Sequence, residues 1–150
     1  MPIGDFFPEE LREQLSENNL KIGSVLRYGR TDTNPPKPKF GVVVGFDAYN
    51  IWFASVYINS DINPFLFPTQ RLRDLHLPLE AKDSSYLSHD SFVDCSQIHV
   101  DDVNTVKTLM TNDINIHVGN LSGADCKQVL ATLKTAHTIP PKIKQRYGLM

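Results

Sequence analysis

The chain has 150 residues, of which 41% are hydrophobic and 21% are charged, and its formal net charge at pH 7 is -2. This composition is ordinary for a globular protein, and the length suits one domain with a sizeable core. The charge excludes a basic surface extending over the whole chain, so any nucleic-acid contact would depend on a local basic patch.

No targeting or membrane segment is evident. The first residues lack a basic segment followed by an apolar run, and no stretch approaches the roughly 18 apolar residues of a membrane span. The two cysteines, Cys95 and Cys126, are too few for a disulfide framework, and neither belongs to a CxxC pair. We interpret both as buried thiols in a reducing compartment and expect a cytoplasmic protein without membrane contact.

The first predicted elements are a helix and a strand. Pro8 and two following glutamates suit the first turn of a helix over residues 8–19. Residues 22–29 have strand character, and the polar, proline-rich residues 30–39 interrupt regular structure. Alternation along the strand predicts one face with Val25, Arg27 and Gly29 and the other with Leu26 and Tyr28.

A long hairpin follows. Residues 39–46 read KFGVVVGF, and the three consecutive valines predict a strand buried on both faces. Asp47 and Asn50 are turn formers. Residues 51–59 return as a second strand that is rich in β-branched and aromatic side chains.

The middle of the chain has weaker signals. Residues 60–70 are irregular, and their bulky apolar side chains are expected to cover one end of the core. A short strand near residues 75–79 is limited by Pro78 to a sheet edge or a strand end. Residues 91–100 are predicted to form one further strand.

The last third ends in a helix. Residues 101–113 are ambiguous, because Asp101 or Asp102 can cap a helix whereas valine is a weak helix former. A last strand follows, and Ser122 with Asp125 then has the spacing of a capping box before an apolar helical stripe.

These elements predict a mainly β fold with flanking helices, built on a small, strongly bent antiparallel sheet or barrel. We assign residues 1–150 to one domain, with residues 1–20 as an N-terminal helical extension. An amphipathic helix lies near the C-terminus, and residues 137–150 form a basic C-terminal tail.

The sequence offers no convincing motif for a metal site, a nucleotide site or a catalytic nucleophile. His89, Asp90 and Asp94 are the one compact His/carboxylate group, but strand alternation would turn His89 away from the two aspartates, so no metal is predicted. Neither phosphate-binding glycine loop nor a GxSxG elbow occurs, and no cofactor is predicted. Cys95 with His89 or His117 is a conceivable nucleophile pair, although an apolar strand favours an inert, buried thiol.

The remaining candidate site lies at one end of the hairpin, where several polar and charged residues are expected to meet. Lys39 precedes one strand, and Asn59, Ser60 and Asp61 follow its antiparallel partner, so these residues are expected to lie side by side. A cation, a hydroxyl and a carboxylate together can hold a phosphodiester and move a proton. A solvated strand end has the same composition, and the residues alone leave both interpretations open. Further cations that can enlarge the patch are Arg27, Arg30 and Lys37.

The order of segments also carries a resemblance. LKIGSVLRYG, KPKFGVVVGF, WFASVYINS, FVDCSQI and INIHVGNLSGADCKQVLATL follow one another over residues 20–136. This order resembles the PemK/MazF-like toxins. In that family a G-x-[IV] strand, a loop ending in Arg-Pro, an apolar strand and a strand ending in Ser or Thr precede an aspartate-bearing strand, a G-x-[LIV] strand and a closing helix.

The resemblance implies an SH3-like β-barrel that is dimeric, belongs to a toxin–antitoxin pair and cleaves single-stranded RNA without a metal. The arginine of the family falls at Lys39, and its serine or threonine falls near Ser60. Lysine lacks the planar, two-pronged phosphate grip of arginine, and Phe40 replaces the family's proline. The resemblance therefore implies that the chain has either changed the site or kept the barrel without the chemistry.

Our leading hypothesis is a toxin-like endoribonuclease with a cognate antitoxin protein as partner, acting as a homodimer. Lys39 would neutralise the phosphate, Ser60 would hydrogen-bond it, and Asp61 or His89 would transfer the proton for attack by the ribose 2′-hydroxyl. Substrate-binding residues would be Arg27, Arg30, Lys37 and Asn59. Tyr57 and Trp52 would stack on bases if they face outward, although core packing is the favoured role of Trp52.

Two alternatives belong to other classes. The first is a non-catalytic SH3-like binding module of a regulatory or phage-defence system, with residues 62–68 and the helix over 122–136 as protein contacts. The second is an antitoxin-like or inhibitor protein.

Overall fold

The computed structural model describes residues 8–30 and 37–150, without the side chains of Arg30 and Lys37. The helices in these residues are α1 (Glu9–Asn19), α2 (Gln70–Arg73), α3 (Val103–Asn112), α4 (Gly123–Thr135) and α5 (Pro141–Arg146). The strands are β1 (Ser24–Arg30), β2 (Lys37–Phe46), β3 (Trp52–Asn59), β4 (His76–Leu79), β5 (Ser91–Asp94), β6 (His99–Asp102) and β7 (His117–Asn120).

The strands form one antiparallel sheet in the order β4-β5-β3-β2-β1-β7, and β6 pairs with the first half of β3 beside β5. Because the path ends at β4 and β7, the described strands make an open half-barrel. The predicted mainly β class with flanking helices is confirmed. Pro78 lies in the edge strand β4, where the missing N–H costs no ladder hydrogen bond.

The hairpin between β2 and β3 follows the sequence closely. The Asp47 carboxylate accepts hydrogen bonds from the backbone N–H groups of Ile51 (2.8 Å) and Trp52 (3.2 Å). Asn50 has φ 53°, a left-handed conformation that asparagine tolerates better than most residues. The pairing of β2 with β3 shifts between Val43 and Gly45, which is a β-bulge.

The two faces of the sheet bury separate apolar clusters. Val42 and Val44 belong to the first cluster, together with Val129 and Leu133 of α4. Val43 belongs to the second, which α3 covers. The predicted burial of β2 on both faces is therefore confirmed, because alternate valines enter different clusters.

Helix α3 resolves the ambiguous segment. The Asp102 carboxylate accepts a hydrogen bond from the Thr105 backbone N–H at 2.8 Å and caps the helix. Val103, Val106 and Met110 are buried at helical spacing. This burial outweighs the weak intrinsic helix propensity of valine.

The predicted N-terminal and C-terminal helices are confirmed as α1 and α4. The Ser122 hydroxyl accepts a hydrogen bond from the Asp125 backbone N–H at 3.1 Å, which is the expected cap. Residues 137–150 contribute α5 and bury Tyr147 and Leu149 in the first cluster, so this basic segment is also part of the core.

Three predictions of local structure were wrong. Residues 30–39 were expected to lack regular structure throughout, but β1 extends to Arg30 and β2 begins at Lys37, because these strand ends pair with each other. Residues 91–100 form two strands, because the Asp94 carboxylate accepts hydrogen bonds from Ser96 N (2.9 Å) and Oγ (2.5 Å) and turns the chain between β5 and β6. Residues 60–70 do not cover the core with all their apolar side chains, since Phe65 and Leu66 are 93% and 68% exposed.

Of the helices in the described ranges, none has the length and apolar character needed to cross a bilayer.

Candidate functional site

Polar and aromatic side chains replace the apolar ones along the second face of the sheet. Leu26 and Val43 lie in the second cluster. Toward the other end of the same strands, the side chains on this face are polar or aromatic. The pairings of Tyr28 with Lys39 and of Ser55 with His99 give the register. We call this region the polar face, and it consists of Tyr28, Lys39, Tyr57, Asn59, His99 and Asp101.

Lys39 is held in place by neighbours on β3. Its Nζ donates a hydrogen bond to Asn59 Oδ1 at 2.5 Å and lies 5.5 Å from the centroid of the Tyr57 ring. The predicted proximity of Lys39 to Asn59 is therefore confirmed. Lys39 is a half-buried residue, so its charge acts with less screening than that of a fully exposed lysine.

An imidazole lies against the same aromatic ring. The ring centroids of Tyr57 and His99 are 3.5 Å apart, and the planes differ by 7°, which is a stacked arrangement. Tyr57 is buried and His99 is half-buried. The stack fixes the plane of an imidazole, which is a group that can accept or donate a proton.

A hydrogen bond between distant strands shapes the polar face. The Tyr28 hydroxyl donates to Asp101 Oδ2 at 2.6 Å. Strands β1 and β6 are separated by β2 and β3, so in a flat sheet their backbones would be about 14 Å apart. The direct bond shows that the sheet curves toward this side, and the polar face is therefore concave.

Three predicted catalytic residues lie beyond the strands. Ser60 and Asp61 follow β3 and are exposed. His89 is exposed before β5, and its Nδ1 lies 3.0 Å from the Ser88 hydroxyl. Since β5 runs antiparallel to β3, these residues are at the same end of the sheet, and their part in the site stays a prediction.

Arg27 does not join Lys39. It pairs with Phe40 on the opposite face, where its guanidinium carbon lies 5.7 Å from the centroid of the Phe40 ring. Adjacent positions of a strand point to opposite faces, so the predicted enlargement of the patch by Arg27 is wrong. Arg30 and Lys37 pair at their Cα atoms, and their side chains lie outside the described part of the structure.

The sequence interpretation missed Tyr28, His99 and Asp101 as site residues. Alternation within HVDD puts His99 and Asp101 on one face, but the pairing of β6 with β3 decides which face. Tyr57 was considered only for base stacking and proves to be buried. Trp52, for which core packing was the favoured role, is 38% exposed.

The sequence indicated a group of His89 with Asp90 and Asp94, but in the structure His76 is the histidine that lies beside Asp94. His76 is buried, with Nε2 3.3 Å from Asp94 Oδ1 and Nδ1 3.1 Å from the Leu72 carbonyl oxygen. Asp90 instead accepts a hydrogen bond from the Ala81 N–H at 2.9 Å. Within residues 8–30 and 37–150, no group of three or more His, Cys, Asp and Glu side chains is arranged to hold a metal.

Cys95 is buried, as the sequence predicted, whereas Cys126 is only partly buried. Burial, with a smaller contribution from the Asp94 carboxylate, raises the pKa of Cys95 to about 12 from an ordinary value of 9.0. The thiolate needed for nucleophilic chemistry is therefore strongly disfavoured in the folded protein.

This shift has a measurable consequence for stability. The folded state favours the neutral thiol, so its contribution is complete below the unfolded pKa near 9 and is lost as the pH rises toward 12. We expect the free energy of unfolding of the wild type, measured by urea denaturation, to fall relative to that of Cys95→Ala by up to about 1.4 kcal/mol per pH unit above pH 9. Tyrosines titrate in both proteins, so only the difference between the curves counts, and parallel curves would contradict the assignment.

No known family model matches the chain, and no match is found among curated proteins. A proposal for function therefore depends on the polar face itself.

Proposed function

We propose that the protein is a metal-independent endoribonuclease that cleaves single-stranded RNA at the polar face. One observation carries the proposal. The ammonium of Lys39 and the imidazole of His99 lie on the same concave side of the sheet. The phenol of Tyr28, which is hydrogen-bonded to the Asp101 carboxylate, lies on this side too. These are the groups that phosphodiester transfer needs to neutralise charge and to move protons.

The reaction would use the 2′-hydroxyl of the substrate as nucleophile. His99 takes the 2′ proton while the 2′ oxygen bonds to phosphorus, and Lys39 stabilises the added charge on the phosphate oxygens. The bond from phosphorus to the 5′ oxygen breaks, and that oxygen receives a proton from Tyr28. The products are a 2′,3′-cyclic phosphate and a 5′-hydroxyl end. Asp61 and His89 are second candidates for proton transfer, and Ser60 is proposed to hydrogen-bond the phosphate.

The proposal extends to the architecture that the family resemblance implies. The half-barrel of antiparallel strands, with α4 packed on its first face, supports an SH3-like assignment of the sheet. A homodimer, a cognate antitoxin protein and a cytoplasmic location belong to the same hypothesis. The departure at Lys39 means that phosphate binding would use a point charge held by Asn59 rather than an arginine fork.

The test is cleavage of a labelled single-stranded RNA by purified protein in EDTA. We expect products with 2′,3′-cyclic phosphate ends, and we expect a substrate with 2′-O-methyl groups to stay intact because its nucleophile is blocked. His99→Gln should lower the rate by about 100-fold, since it removes the proposed proton acceptor.

The matched control is His137→Gln, which changes an exposed histidine between α4 and α5 and should leave the rate unchanged. RNA that stays intact at high protein concentration, cleavage that EDTA abolishes, or full activity of His99→Gln would each overturn the proposal.

A second candidate, the non-catalytic binding module, is favoured by a different observation. Phe65 and Leu66 are exposed on a turn that Asn63 holds, with Phe65 N donating to Asn63 Oδ1 (2.9 Å) and Leu66 N donating to the Asn63 carbonyl (3.2 Å). An ordered turn that presents two large apolar side chains suits a protein contact. Under this function RNA stays intact, and Phe65→Ser with Leu66→Ser abolishes binding of the protein partner.

A further inference from the structure

Two neighbouring hollows lie at the opposite end of the hairpin, away from the polar face. The larger has a volume of about 530 Å³ and is lined by apolar residues that include Leu20, Ile22 and Phe46, with Lys21 and Lys107 beside them. Both hollows share Ile22, Phe46 and Asn50 as walls. The smaller has a volume of about 380 Å³ and adds Leu130, Lys134 and Leu149.

Backbone contacts build these walls. The Gly23 N–H donates to the Val43 carbonyl at 2.8 Å, which fixes the chain next to Ile22 against the sheet at the bulge. The Phe46 ring centroid lies 6.1 Å from that of Phe53, a fully buried residue. Ile22 itself is 48% exposed. The hollows therefore have an apolar floor that is open to solvent.

Three of the charged residues that line the hollows are lysines. Within the described ranges, Lys21, Lys107 and Lys134 form no ion pair. The nearby carboxylate of Asp47 is buried and accepts the two hydrogen bonds of the hairpin turn. Lys107 also borders a groove beside α1 that contains Glu9, Glu13 and Glu17, so Lys21 is the cation that belongs most clearly to the larger hollow.

We propose that the larger hollow binds a small amphipathic anion, namely a medium-chain carboxylate. Lys21 and Lys107 would hold the carboxylate, and the chain would lie on Leu20 and Phe46 and pass the Ile22 wall toward the smaller hollow. The volumes fall in the range of small-molecule sites, which are mostly apolar with a few polar groups. The walls are largely aliphatic rather than stacked aromatic, which favours an acyl chain over a nucleobase.

The experiment titrates the full-length protein with decanoate below its micellar concentration and follows binding by calorimetry and by amide chemical shifts. We expect saturable binding with a dissociation constant near about 0.1 mM and shifts at Lys21, Ile22 and Phe46. Decylammonium, with the same chain and the opposite charge, should bind at least about tenfold more weakly, since it faces the lysines.

Variants distinguish the contribution of the lysine charges from that of the apolar wall that contacts the acyl chain. Lys21→Glu with Lys107→Glu should weaken decanoate binding at least about tenfold, and Ile22→Ser should weaken it several-fold by removing an exposed apolar wall. Lys127→Glu, an exposed position of α4 outside both hollows, is the matched control and should bind as the wild type.

Four outcomes would overturn the proposal. These are the absence of saturation, equal binding of decylammonium, shifts that map elsewhere, and binding by the lysine variant equal to that of the wild type. Binding only to anionic vesicles or only to an acidic peptide would assign the hollow to those partners instead. The proposal does not depend on ribonuclease activity, so a protein that leaves RNA intact can still bind decanoate.

Discussion

Lys39→Ala is expected to lower the rate of RNA cleavage by about 100-fold or more, measured as initial rate with a single-stranded substrate in EDTA. The ammonium of Lys39 lies against Tyr57 and Asn59, where it is positioned before substrate arrives. Such a preorganised charge stabilises the transition state with little rearrangement, so its loss should reduce kcat more than substrate affinity.

Two further variants make the result specific. Arg27→Ala removes a cation that lies on the opposite face of the sheet, beside Phe40. This substitution should change the rate by less than about threefold. Lys39→Arg keeps the positive charge and should therefore lose less activity than Lys39→Ala. Wild-type rates for Lys39→Ala, or equal losses for Lys39→Ala and Arg27→Ala, would remove Lys39 from the mechanism.

Gly45→Ala is expected to lower the free energy of unfolding by about 3 kcal/mol or more, measured by urea denaturation. A Cβ atom at this position would lie 2.2 Å from the carbonyl oxygen of Tyr147 and 3.2 Å from its Cβ. The first contact is with backbone, which no side-chain rotation can relieve. Either the bulge shifts, or the segment that buries Tyr147 and Leu149 leaves the first cluster.

The matched control is Gly29→Ala, which changes a glycine in strand β1 of the same sheet. A Cβ atom there meets nothing within 4 Å. We expect its free energy of unfolding to change by less than about 0.5 kcal/mol. Equal stability of the Gly45→Ala and wild-type proteins would show that the C-terminal segment does not pack on the bulge as described.

Several features of the fold could be predicted because they depend on neighbours in the chain. The valines of β2, the turn formers Asp47 and Asn50 and the Ser122 cap act over a few residues, and all behave as expected. The contact of Lys39 with Asn59 belongs to the same class, since a hairpin brings its own strand ends together. A local turn also explains the main miss, because the Asp94–Ser96 hydrogen bonds divide a predicted strand.

The rest of the candidate site depends on pairing between distant segments. His99 reaches Tyr57 only because β6 pairs with the first half of β3, and Tyr28 reaches Asp101 only because the sheet curves. Neither register nor curvature follows from alternation alone.

The amino-acid sequence by itself determined the strand-rich class, the central hairpin and the meeting of Lys39 with Asn59, since hydrogen bonding and alternation act over short distances along the chain. Only the tertiary structure decided that Arg27 lies on the other face, that Phe65 is exposed and that an imidazole stacks beside the lysine. The physical reason is that the faces of a sheet are assigned by what packs on them, and the covering helices come from the far end of the chain.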